Sequence, residues 1–266
     1  MVLIRSRAMS GKISLTLFLA CLAWLLALSA GPAGASIIIH SIIIPGTANP
    51  YLAGMPNGTL AQAGDSAPAN SPVLVNSFDL EAGSWFEIFN ATGQVANSHT
   101  SDGYTIYNWT AGPEGTTNYQ PWHQSVDAND ANDPNKRGIE FGKSNICAPL
   151  DSLVGVFLAD DVDLGATPAT SWFDKPDYRD YPTLNPLLQQ VFFIGDGLTS
   201  ELQQQRIYTP PGATRLYLGV MDGYEWNNNE GFFSIDVRTN VPEPATAGTL
   251  LIGSVLALIR ARRKKA

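Results

Sequence analysis

Between Ser36 and Val241 no stretch keeps apolar residues at helical spacing for long. Short apolar or alternating runs recur instead, over residues 73–78, 85–90, 104–109, 153–158, 191–194, 215–220 and 232–237. Turn chemistry separates them: Glu81-Ala82-Gly83, Ala91-Thr92-Gly93, Gly195-Asp196-Gly197 and Pro210-Pro211-Gly212. A period of two marks a strand with one buried face, and Gly, Pro and Asn supply the backbone angles of turns. Such punctuation predicts an all-β chain, a β-sandwich or jelly roll, over residues 73–240. Residues 36–72 read differently. Ile37-Ile38-Ile39 and Ile42-Ile43-Ile44 fit one strand pair. After Pro45 the chain is Gly, Ala, Pro and Asn, which reads as a Gly/Pro-rich N-terminal arm.

Both ends fall outside that pattern. At the N-terminus Arg5, Arg7 and Lys12 precede an apolar run from Ile13 to Ala30, broken by Gly31-Pro32. Ala33-Gly34-Ala35 then has the small-residue spacing of a signal-peptidase site. The expectation is a signal peptide over residues 1–35, cut between Ala35 and Ser36. At the other end stand Val241-Pro242-Glu243-Pro244, an apolar run over residues 245–259, and Arg260, Arg262, Arg263, Lys264 and Lys265. Fifteen apolar residues are fewer than the roughly 20 that cross a hydrocarbon core, so such a segment spans only with thinning or snorkelling of its flanks. The basic cluster holds the end on the cytoplasmic side. Pro242 and Pro244 keep the preceding peptide extended and open to a processing enzyme.

Motif, apolar run and basic cluster in this order resemble the bacterial PEP-CTERM sorting signal, also named the ice-binding protein C-terminal domain. The resemblance covers about a tenth of the chain, residues 241–266. It implies an exosortase-type processing enzyme as partner, transient residence in the inner membrane as a transmembrane helix, and delivery to the cell surface, envelope or extracellular matrix. A flanking signal helix at the N-terminus and a hydrophobic helix at the C-terminus complete the expected architecture. The alternative is a permanent tail anchor.

The remaining 206 residues carry eight of the chain's 16 basic residues and 23 of its 24 acidic ones, a formal charge of −15. A nucleic-acid partner needs a basic face, so that class is excluded. Acidic surfaces suit divalent cations, and also plain solubility. Cys21 leaves with the signal peptide, so Cys147 has no intrachain partner and reads as a buried inert thiol.

The second informative stretch is 215–237. Leu216, Leu218 and Val220 alternate, and so do Phe233, Ile235 and Val237. Between them a loop holds Asp222, Glu225, Asn227, Asn228, Asn229 and Glu230. A hard cation takes six to eight oxygens from carboxylates, amides and carbonyls, which a loop of this composition offers without long-range assembly. The competing reading is a polar loop whose Asn and Asp take turn conformations.

This hairpin resembles the C-terminal hairpin of the PA-IL-like bacterial lectins, calcium-dependent galactose binders with a small β-sandwich. Asp222 matches the family's strand-end Asp, and Asn228 and Asn229 match its Asn pair by counting back from Gly231 and Phe233. The loop is one residue shorter than the family pattern, so either Asn227-Asn228 or Asn228-Asn229 is the pair. Residues 108–115 are similar to the family's Trp-Gly-Pro-x-Gly stretch with two residues inserted, and residues 145–155 to its segment entering the central strand. The resemblance implies calcium bound by Asp222, Asn228 and Asn229, with a backbone carbonyl near Tyr104 and another near Tyr224 or Glu225. It implies a glycan ligand contacted by Trp122, His123 and Gln124, at a spacing that differs from the family's His-x-x-Gln.

Other constellations are weaker. Asp127, Asn129, Asp130, Asn132 and Asp133 lack the Gly and Glu of an EF-hand loop. Asp160-Asp161-Val162-Asp163 reads as a strand end. For catalysis, the mature chain holds only His40, His99 and His123, with no Gly-x-Ser-x-Gly and no His-Glu-x-x-His. The expectation is a non-enzyme: an exported, calcium-dependent carbohydrate-binding protein. The alternative is a structural matrix or envelope protein with no glycan ligand, in which calcium only pins the hairpin.

Overall fold

The computed structural model describes residues 35–56, 59, 71–75, 80, 82–101, 104–116, 122–123, 141–164, 168–222 and 226–241; for 35–40, 97–101, 104–109, 122–123 and 241 it describes the backbone only. Residues 1–34 of the expected signal peptide over 1–35, Pro242 to Pro244, the apolar run 245–259, Tyr224, Glu225, Gln124 and residues 127–133 lie outside the described residues. Among the described residues no helix is long and apolar enough to cross a membrane.

The chain is all-β. Its strands are β1 (Ala35–Pro45), β2 (Val73–Leu74), β3 (Trp85–Ser101), β4 (Tyr104–Ala111), β5 (Trp122–His123), β6 (Ile146–Ala148), β7 (Leu153–Leu158), β8 (Ser171–Trp172), β9 (Thr183–Leu184), β10 (Val191–Phe193), β11 (Arg206–Tyr208), β12 (Arg215–Val220) and β13 (Glu230–Val241). One four-residue helix, α1 (Pro176–Arg179), and two 3-10 turns, Pro50–Leu52 and Trp226–Asn228, are the helical segments among the described residues.

Three sheets form. The largest runs β1-β13-β3-β11-β9, with β4 also on β3. The second runs β10-β7-β12-β2, and the third β5-β6-β8. Phe86 of β3 meets Phe157 of β7 edge-on, with ring centroids 5.8 Å apart, and Phe157 stacks on Phe192 at 5.5 Å. The first two sheets therefore share one core, which Ile88, Phe233, Ile235 and Val237 enter from one side and Val154, Leu216 and Leu218 from the other. Every residue of β7 is buried, because Val156 and Leu158 enter a second cluster with Ala53 and Tyr217. Its sequence LVGVFL is accordingly a continuous apolar run rather than an alternating one.

β13 is the axis of the large sheet and carries a bulge on each neighbour. On β1 the register shifts between Ile39 and Ile42, and on β3 opposite Ser234 to Asp236. Ser41 and Asn90 adopt positive φ at these points, 56° and 52°. The Asp236 carboxylate serves both: Oδ1 accepts from the Ser41 N–H at 2.8 Å, and Oδ2 from Asn90 Nδ2 at 2.9 Å. One anionic side chain thus takes a backbone donor released at the β1 bulge and a side-chain donor at the β3 bulge.

Three local expectations differ from the structure. Ala91-Thr92-Gly93 is not a turn between strands; it lies inside the 17-residue β3, at its bulge. Gly93 is required there, since at φ 93° a Cβ would stand 2.3 Å from the Phe232 carbonyl oxygen. The isoleucine triplets do not pair with each other. They form one bulged strand against β13, because the Asp236–Ser41 bond lets β1 resume its register after one extra residue. After Pro45 the segment expected as part of an arm enters the core: Ala48, Asn49, Tyr51, Leu52 and Ala53 are buried. The Asn49 side chain caps the 3-10 turn by accepting from the Tyr51 N–H at 2.9 Å, with Pro50 at its first position.

Candidate functional site

β12 ends at Val220, and the chain returns into β13 at Glu230. The loop between is fixed by an apolar anchor. Trp226 is buried, donates from Nε1 to the Val220 carbonyl at 2.8 Å, and meets the Tyr51 ring edge-on at 5.8 Å. The chain segment carrying Tyr51 lies across the same strand end: the Val220 N–H donates to the Ala48 carbonyl at 2.9 Å. Gly219 makes that approach fit, because a Cβ would stand 2.7 Å from the Ala48 oxygen. On the other flank Asp151 N–H donates to Met221 O, and Met221 N–H to Ser152 O, both at 2.8 Å.

This frame turns polar groups inward. Asp222 is 3% exposed and Asn229 5%. Asn229 Nδ2 donates to Asp222 Oδ2 at 2.7 Å and to the Gly46 carbonyl at 3.3 Å. Asn229 Oδ1 is covered from solvent and accepts no hydrogen bond among the described residues, and Asn228 Oδ1 is also covered. Asn227 is exposed. The burial order therefore selects Asn228-Asn229 over Asn227-Asn228 as the inward pair. An uncompensated buried amide oxygen costs about 1–3 kcal/mol, so a cation or donor arriving at Asn229 Oδ1 has a free energy to recover. Among the described residues no three His, Cys, Asp or Glu side chains gather as metal ligands. A cation here takes one carboxylate, amide oxygens and main-chain carbonyls, a donor set of the hard, oxygen-only kind.

Tyr104, expected to supply a further carbonyl, lies elsewhere. Tyr104 pairs with Ser101 at the far end of the β3–β4 ribbon. The ribbon meets β13 near Thr110 and Ala96, opposite Glu230. Six residues along an extended strand, roughly 20 Å, separate Tyr104 from that junction. The carbonyl next to the pair comes instead from Gly46, in a stretch whose composition reads only as loop. Trp122 and His123 form β5 and pair with Ala148 and Cys147. Cys147 pairs in turn with Trp172, so one row of the third sheet reads His123, Cys147, Trp172. The Cys147 thiol is buried, and burial, with the charge of Asp174, pushes its pKa up to about 11. It is held as the neutral thiol.

A third polar cluster joins the regions. Glu114 projects from the turn after β4 onto the Gly195-Asp196 turn and accepts from the Asp196 N–H at 3.0 Å. A Cβ on Gly195 would stand 1.9 Å from its Oε1. That cover pushes the Glu114 carboxyl up to about 7, chiefly by desolvation, with the Asp196 charge adding and the Asp196 N–H and Arg179 opposing. Asp160, in the acidic run after β7, accepts from Thr214 Oγ1 at 2.8 Å, which suits a strand end.

No protein-family model, curated protein or solved structure matches the chain.

Proposed function

We propose that this chain is an exported, non-enzymatic protein whose β-sandwich or jelly roll binds carbohydrate with a calcium ion held by Asp222, Asn228 and Asn229. The observation that carries the reading is the Asn229 Oδ1 acceptor, buried without a partner in a residue bonded to the Asp222 carboxylate. Calcium supplies a centre whose remaining positions take vicinal sugar hydroxyls. The Gly46 carbonyl fills the role assigned on sequence to Tyr104, and Trp122, His123 and Gln124 supply the sugar contacts. With one carboxylate in the set, affinity falls in the range of extracellular modules, about 10⁻⁴–10⁻³ M.

Export and sorting belong to the same proposal. The ladder between β1 and β13 ends at the pair Ala35 and Val241. Cleavage before Ser36 removes one ladder residue, and exosortase processing at Pro242-Glu243-Pro244 falls beyond the last pair. Both processed segments, including the flanking hydrophobic helices, then leave without disturbing the sheet. The intact mass of the exported form tests this: loss of residues 1–35 and of the C-terminal segment is expected, and a mass that retains residues 250–266 leaves a tail anchor.

A second reading has its own support. The Asn229–Asp222 bond and the buried Trp226 hold the loop without any ligand. A structural matrix or envelope protein needs no more than that. Glycan-array binding that a chelator abolishes supports the carbohydrate reading; absence of any glycan ligand, with a chelator-sensitive melt, supports the structural one.

A further inference from the structure

We propose a second glycan subsite, independent of calcium and of the Asp222 loop, in the groove between Trp172 and Tyr178. Its ligand class is a chain of neutral pyranose sugars. The groove follows from how β8 is held. Phe173 N–H donates to the Cys147 carbonyl at 2.7 Å, and the Phe173 ring packs on Phe193 and Tyr181 at 5.8 and 6.1 Å. With Phe173 turned inward, its neighbour Trp172 is turned out and is 52% exposed. Pro176 then starts α1, which buries none of its residues and returns Tyr178 to the same wall, 48% exposed.

Trp172 and Tyr178 border two adjoining hollows of ≈ 580 and ≈ 330 Å³. The first is lined also by Asp174 and Lys175, the second by Leu184, Asn185 and Pro186. These volumes lie in the range of small-ligand sites, about 300–1,000 Å³. Two large exposed aromatics on one groove form a stacking wall rather than scattered surface. Asp174 lines the first hollow and is half-buried, so its carboxylate is in reach of a ligand there even though its Oδ1 is covered from solvent. Lys175 Nζ stands 5.2 Å from the centroid of the Tyr178 ring, as a donor at the mouth. Gln190 is not spare, since it accepts from Leu187 N–H and donates to the Ala169 carbonyl.

This combination selects the ligand. A half-buried carboxylate on the groove wall calls for a donor. A proline-rich segment suits aromatic grooves but has no N–H to give. A polyanion gains no net attraction, since Asp174 and Asp177 offset Lys175 and Arg179. A pyranose offers C–H faces to Trp172 and Tyr178 and hydroxyl donors to Asp174.

The test is calorimetric titration of the full-length protein in detergent with cellohexaose and with a β-1,4-galactohexaose, both in excess chelator. Saturable binding of at least one is expected. Trp172→Ala should weaken it by about tenfold and Trp172→Phe by much less, as loss or retention of a stacking face implies. Asp174→Ala should weaken it by a similar factor, through the lost charge-assisted bond. Because chelator is present throughout, this binding owes nothing to a calcium ion at the Asp222 loop, so failure of the calcium reading and failure of this one are distinguishable. Heat from neither sugar, wild-type affinity in the Trp172→Ala/Tyr178→Ala double variant, or binding of decaproline where both sugars are inert overturns the proposal.

Discussion

The loop at Asp222 and the groove at Trp172 are both polar sites with an unsatisfied acceptor, yet they are built in opposite ways. The loop hangs from a buried tryptophan, and its functional groups are nearly all covered. The groove stands on a short strand and a single helical turn, and its aromatics face solvent. In the loop, binding and folding share the same side chains. In the groove they would be separate, because Phe173 holds the fold while Trp172 faces solvent. A site of the first kind shows itself through stability, and one of the second only through affinity.

The largest effect should come from the loop's anchor. Trp226→Ala removes a fully buried indole, its bond to Val220 and its contact with Tyr51. A loss of about 3–5 kcal/mol in unfolding free energy is expected by denaturant titration. A loss below about 1 kcal/mol would mean that the loop is not tied to the core.

Glu114 sharpens the comparison because its turn touches both sides. Pro113 O accepts from Leu153 N–H at 2.8 Å on β7, where Leu153 pairs with Val220 just before the loop, while Arg179, next to Tyr178, is felt by its carboxyl. With a folded pKa near 7 against 4.5 unfolded, the unfolded chain releases this proton first as pH rises. Stability from this group is therefore full below about pH 4.5 and is lost between there and pH 7. The melting temperature should fall across that window, and Glu114→Gln should flatten the fall. An unchanged slope in the variant would place the titrating group elsewhere.

At the small end stands the groove. Trp172→Ala should move the unfolding free energy by no more than about 0.5 kcal/mol, as an exposed substitution does. A larger loss would make Trp172 a structural residue.

How much of this was legible beforehand depends on whether the information is local. The β7, β12 and β13 runs were legible because alternation or unbroken apolarity is a property of adjacent residues. The Ala91-Thr92-Gly93 stretch misled because a bulge and a turn use the same residue types, and only the partner strand distinguishes them. Tyr51 and Trp226 were hidden for the same reason: each is a single aromatic in a polar stretch, and their contact spans most of the chain. Asp222 and the Asn pair were readable as oxygen-rich loop residues. That Gly46 supplies the neighbouring carbonyl was not, since a main-chain oxygen leaves no mark in the sequence. Trp172 and Tyr178 carried no motif and became a pair only through α1.

The central claim is that the Asp222 loop is a calcium site, and calorimetric melting of the full-length protein with and without calcium tests it most directly. A ligand bound only by the folded state adds about 2.7 kcal/mol at a hundredfold excess over its Kd. The wild-type melt should therefore rise with calcium concentration, Asp222→Asn should abolish the rise, and Asn227→Ala should keep more of it than Asn228→Ala. A melt that excess calcium leaves unchanged, with no heat on titration, would contradict the account.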